Sequence, residues 1–133
     1  MGLQTGDKIT ITFSGAYYSL KEMFAAEFRG LLPSGWRDKT ALGTGSGASP
    51  ASAATPATSF GSELVVGGFG SDTTAKFTPG TGFTALTSAS TSGSGVTRSI
   101  YECYEIVQTS GQYRALGTFS ASSLWTAATA TYH

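Results

Sequence analysis

The sequence predicts an all-β fold, an antiparallel β-sandwich of about seven or eight short strands. Runs rich in Thr, Val, Ile, Phe, Tyr and Trp recur at roughly 8–15-residue spacing. The stretches between them are rich in Gly, Ser and Thr, the composition of turns and loops. Asparagine is absent, so the Asn-Gly hairpin turn is unavailable and glycine has to make the turns.

The elements are expected in this order. Asp7–Gly15 opens the series, where Ile9, Ile11 and Phe13 alternate with Thr10, Thr12 and Ser14, the period of a half-buried strand. Tyr17–Gly30 reads two ways. Ser19 and Glu22 are spaced as a capping box, and Leu20, Phe24 and Phe28 fall at i, i+4 positions of a helix. The favoured alternative is a strand over Met23–Arg29, ended by Gly30 and Pro33. Trp36–Leu42 is a short extended piece carrying Arg37, Asp38 and Lys39. The stretch 43–59 has no charge and no large side chain, and is expected to be a long surface loop or crossover stiffened by Pro50 and Pro56.

Glu63–Phe69 is a strand whose Gly67 and Gly68 signal a bulge or a close backbone approach. Thr74–Phe77 and Phe83–Thr87 flank the turn Pro79–Gly82, and Ser88–Val96 reads as a loop. Arg98–Gln108 carries apolar groups on both faces, as a central strand does. Gln112–Phe119 and Leu124–Tyr132 complete the set. One domain over residues 1–133 is the natural expectation for this length.

Composition narrows the function. Eight Lys and Arg balance eight Asp and Glu, and no basic stripe favours nucleic acid. The longest apolar stretch, near Leu64–Phe69, is too short to cross a bilayer. No basic segment followed by an apolar one opens the chain, so no signal peptide is expected and synthesis in the cytosol is. A neutral chain stays soluble through surface hydroxyls or through partners that cover it. Cys103 has no cysteine to pair with, and its apolar neighbours predict a buried, inert thiol.

Candidate chemistry is sparse. A serine nucleophile needs a base, and the only histidine, His133, is terminal and expected to be mobile. Glu102 and Glu105 lie three apart on one predicted strand and so point to opposite faces, with salt bridges to Arg98 or Arg114 the expected use of one of them. Asp72, between Ser71 and Thr73, reads as an Asx-turn before it reads as a calcium ligand. Gly43–Gly47 lacks the Lys-Ser/Thr of a phosphate-binding loop. No catalytic residue, cofactor or metal site is expected. Aromatic and arginine side chains are the candidates for contact with a partner or a sugar: Trp36, Arg37, Tyr17, Tyr18 and Tyr113. Trp125 is expected in the core.

From Ala26 onward, the order of short motifs resembles concanavalin-like jelly-roll domains of bacterial surface proteins and of tailed-phage virion proteins, notably those of actinobacteria. The motifs are Glu27–Leu31, the Ser/Thr/Ala-rich loop, Glu63–Gly67, Pro79–Phe83, Tyr104–Val107, Gly111–Tyr113 and the strand at Trp125. The resemblance implies jelly-roll character and a non-enzymatic virion role, as capsid decoration or tail-associated protein, reached by assembly in the host cytoplasm. Self-association and other virion proteins are the implied partners. The alternative is a glycan-binding module at a bacterial cell surface. Family members carry further strands before the segment resembling Gly6–Thr10, so this chain looks like the later part of the domain. An open sheet face or edge is the expected consequence, covered by another chain.

Overall fold

The computed structural model describes residues 3–14 and 20–133. All eight regular elements among them are strands: β1 (Arg37–Gly47), β2 (Glu63–Ser71), β3 (Phe77–Pro79), β4 (Thr84–Ala85), β5 (Ala89–Gly93), β6 (Val96–Val107), β7 (Gly117–Phe119) and β8 (Ser123–Tyr132). The main sheet runs β1-β8-β2-β6, with β4 and β5 sharing the far edge of β6, and every pairing is antiparallel.

A smaller layer lies over one face. In it β3 pairs with β7, and the irregular segment 48–58 pairs along 111–119. Phe119 N–H donates to Ala48 O at 2.8 Å, Ser52 N–H to Ala115 O at 2.9 Å, Thr55 N–H to Tyr113 O at 2.8 Å and Thr58 N–H to Gly111 O at 2.9 Å. Pro50 and Pro56 have no N–H to give, so the segment cannot form a continuous ladder. Side-chain hydroxyls fill the gaps. Thr55 Oγ1 accepts from Tyr113 N–H at 3.1 Å, and Thr58 Oγ1 from Gly111 N–H at 3.1 Å. The pairings nest, β1 with β8, 48–58 with 111–119 and β2 with β6, in a sandwich-like arrangement.

The core sits between the layers. Phe69, Cys103, Ala115, Phe119 and Ala127 are buried together, with Phe77, Tyr101 and Trp125 packed against them. Phe77 stands 4.6 Å from Phe69 and 5.5 Å from Phe119, ring centre to ring centre, in tilted arrangements that favour aromatic pairs. Gly67 resolves into a close approach rather than a bulge. The register of β2 with β6 and β8 is unbroken through it, and a Cβ there would sit 2.5 Å from Ala115 Cβ.

Hydroxyls line the same interior. Thr129, 2% exposed, accepts from Ala115 N–H at 2.7 Å and lies 2.6 Å from Ser52 Oγ. Ser71 and Ser123 meet at 2.6 Å, and Asp72 Oδ1 accepts from Ser123 Oγ and Leu124 N–H at 2.8 and 2.9 Å. Asp72 is thus a cross-strand tie rather than the expected local turn.

Several further expectations need correcting. Lys8–Ser14 joins no strand, and Ile9, Ile11 and Phe13 stand about half exposed. Residues 20–30 form neither the helix nor the favoured strand. Gly43–Gly47, placed in the long loop, belongs to β1. Ser88–Val96 is a hairpin between β5 and β6, turning through Ser94 and Gly95 at φ 51° and 77°, the left-handed pair that matches strand twist. His133 is held rather than mobile. Its N–H donates to Trp36 O, its carbonyl accepts from Leu32 N–H, both at 2.9 Å, and its ring stacks on Phe60 at 3.9 Å.

Candidate functional site

The face of the main sheet turned away from the core is the feature with functional promise. Strand period puts even-numbered residues of β1, β8, β2 and β6 on it, and the register lines them up in rows. Two rows are Tyr132–Leu64–Ile106 and Thr40–Ala130–Val66–Tyr104; the next two are Leu42–Ala128–Gly68–Glu102 and Thr44–Thr126–Gly70–Ile100.

The segment 20–36 crosses the first two rows. Phe28 meets Tyr104 edge-on at 5.4 Å, and Trp36 lies flat on Tyr132 at 5.7 Å and 21°. The other two rows are barer, with Glu22 of the segment and Arg98 of β6 beside the last of them. A shallow trough of about 460 Å³ runs along them, floored by Gly68, Gly70 and Ala128 and walled by Leu42, Ile100 and Thr126. Leu42 is 74% exposed and Leu124, beside Ser46 in the register, 64%. Fully burying one such leucine is worth about 1.5–3 kcal/mol, so this surface favours a cover.

Charge on the face is thin. Glu102 stands at the boundary of the covered and open rows, and burial pushes its carboxyl up to about 7. Glu105 faces the other way, as the spacing requires; it pairs with Val65 while Glu102 pairs with Gly68. The ion pairs among the described residues are Arg29–Glu27 at 3.4 Å and Lys39–Asp38 at 2.7 Å, so neither Glu102 nor Glu105 has the expected arginine partner. Burial raises Asp38, but hydrogen bonds from Lys39 Nζ and from the amide and hydroxyl of Ser59 outweigh it and hold the carboxyl well below the usual range. Burial, with the Glu102 and Glu105 carboxylates near it, pushes the Cys103 thiol up to about 12. No group of three His, Cys, Asp or Glu among the described residues is placed to hold a metal ion.

The sequence-predicted contact residues scatter. Trp36 is 48% exposed at the covered end of the open face, and Arg37 follows it at the start of β1, also exposed. Trp36 also lines a hollow of about 650 Å³ with Glu27, Arg29 and Leu32. Tyr113 lies in the smaller layer on the other side of the sandwich, its hydroxyl donating to Thr109 O. Tyr17 and Tyr18 lie outside the described residues. Leu42, Leu124 and Ile106 were not singled out as contacts; of the three, only Ile106 carried a signal, in the apolar residues on both faces of Arg98–Gln108. No protein-family model, no curated protein and no solved structure matches the chain.

Proposed function

We propose that the protein is a non-enzymatic structural component that works by packing into an assembly, and, on its motif resemblance, that the assembly is the virion of a tailed phage, as a capsid decoration or tail-associated protein put together in the host cytoplasm. The observation that supports this reading is the half-covered sheet face, where Leu42 and Leu124 stand 74% and 64% exposed around a trough with no side chain on Gly68 or Gly70. Contiguous apolar surface of this kind marks a protein interface. Light scattering of the purified chain tests it. The expected result is a species larger than one chain that shrinks when Leu42 and Leu124 are both changed to Ser. A wild-type chain that stays single at high micromolar concentration refutes the reading.

A second reading rests on Trp36. A half-exposed indole lying flat on Tyr132, above a hollow edged by Glu27 and Arg29, is the arrangement of a sugar-stacking platform, as in a glycan-binding module of a bacterial surface protein. Tryptophan fluorescence titrated with a panel of cell-wall and capsular sugars tests it. Saturable quenching lost in Trp36→Ala, with the far-UV spectrum unchanged, supports it; no response to any sugar of the panel removes it.

A further inference from the structure

Two parts of the chain have strand character without a strand partner. The first is Lys8–Ser14. Ile9, Ile11 and Phe13 alternate with Thr10, Thr12 and Ser14, yet the segment joins no ladder and the three apolar side chains are 51%, 48% and 47% exposed. Lys21 Nζ stands 5.1 Å from the centre of the Phe13 ring.

The second is the outer edge of β1. β8 takes one edge of this strand. On the other, the Leu42 carbonyl accepts from Ala53 N–H at 3.0 Å, and among the described residues no further backbone bond beyond the ladder reaches Thr44 or Ser46. Segment 51–53 packs against this edge at Leu42 and Gly43, and the backbone groups of Thr44 and Ser46 beyond it are a template for another strand. The stretch Thr40–Ser46 is as long as Lys8–Ser14 and carries no charge. A strand added there with Ile9, Ile11 and Phe13 turned to the open face would prolong the rows that now stop at Leu42 and Thr44.

Within its own chain the segment starts from the far side of the sheet, and reaching β1 would take an almost fully extended link. Leu20 sits at the opposite edge of the sheet, where a Cβ on Gly93 would lie 3.3 Å from Leu20 Cδ2 and where Thr91 Oγ1 donates to Lys21 O at 3.5 Å. From β5 to a strand beyond β1 is five inter-strand steps across β6, β2, β8 and β1, about 24 Å at ~4.8 Å each. The chain from Ser14 to Leu20 spans at most roughly 21 Å when fully extended. We infer that Lys8–Ser14 of one copy adds as an extra strand to the Thr40–Ser46 edge of β1 in a second copy. The inference rests on the assembly reading above and names the contact that builds the assembly.

The test uses the full chain with Ile9, Ile11 and Phe13 all changed to Ser. These side chains are half exposed in their own copy and belong to no strand, so the far-UV spectrum should be kept while association weakens by about tenfold or more, read by light scattering across a dilution series. A separate mixing experiment follows Ile11→Cys and Thr44→Cys chains. A mixed disulfide dimer on combining them under mild oxidation supports the pairing. An oligomer unchanged by the triple substitution, or an Ile11→Cys/Thr44→Cys double variant that closes its disulfide within one chain, overturns the strand exchange and leaves the assembly reading standing. A wild-type chain that does not associate at all overturns both.

Discussion

Replacing Thr129 by Val removes one hydroxyl and nothing else of consequence in size. In the folded chain that hydroxyl accepts from Ala115 N–H at 2.7 Å and meets Ser52 Oγ at 2.6 Å, and Ala115 is wholly buried. After the change, Ala115 N–H keeps only Ser52 Oγ, at 3.2 Å, a long bond. A buried donor left without a partner costs about 1–3 kcal/mol, so the retained long contact sets Thr129→Val at about 1–2 kcal/mol. Ser52→Ala alone leaves Ala115 N–H its shorter acceptor and should cost about 1 kcal/mol. The double variant leaves that amide with neither hydroxyl. Its cost should exceed the sum of the two by about 1 kcal/mol, the coupling expected of groups that share one donor. Urea unfolding at a single fixed protein concentration reads all four corners of the cycle, with unchanged slopes confirming that stability alone has moved. A neutral Thr129→Val, or a cycle that closes additively, would refute the claim that hydroxyls substitute for ladder bonds beneath the irregular strand.

Three further outcomes follow from the packing and charge already described. Gly67→Ala places a methyl 2.5 Å from Ala115 Cβ and should destabilise the fold by about 1–3 kcal/mol through overpacking, seen as a lower urea midpoint. For Glu102, both folded and unfolded chains hold the proton at low pH; between its ordinary value of 4.5 and about 7 the unfolded chain releases it first. Stability should therefore fall as pH rises through that window and level off above it, by about 1 kcal/mol after allowance for solvent screening. Glu102→Gln should flatten the slope between pH 4.5 and 7, and a slope the substitution leaves intact would show that another group sets it. Cys103, buried and with its thiol raised to about 12, should react with an aromatic disulfide reagent only as fast as the sandwich opens, and prompt labelling of the native chain would contradict its burial.

The sequence made the all-β class and the strongest strands legible because periodicity and burial agree there. Arg98–Gln108 carries apolar side chains on both sides, and the sheet indeed flanks it on both edges with β2 and with β4 and β5. β1 was harder to see, since its glycines are demanded by packing that lies elsewhere in the chain. A Cβ on Gly43 would stand 2.3 Å from Ala51 O and one on Gly45 2.6 Å from the Trp125 ring, so residues that look like loop composition are the ones a neighbour forces into a strand. The hydroxyl excess was read as a surface trait. Part of it is structural, because Thr55, Thr58 and Thr129 complete a layer that two prolines interrupt. The candidate site was legible only as an expectation that some face would be open. Which rows stay bare depends on where residues 20–36 cross, and neither the helix nor the favoured strand read there gave a hint of an irregular path over Leu64 and Tyr104.

The strand order carries a consequence for how the chain comes into being. β8 lies between β1 and β2 yet follows both in the chain. During synthesis those two strands emerge early, each with a vacant flank awaiting the same late arrival, and Ala41 meets Thr129 only after everything between them has been made. Interlocking of this kind is slow to nucleate, and the unfilled slot between β1 and β2 offers a place where a neighbouring nascent chain can insert its own β8 first. Expression at low temperature, or with chaperones that hold β1 and β2 apart from other chains, should therefore raise the yield of correctly threaded protein more than any change to the finished core.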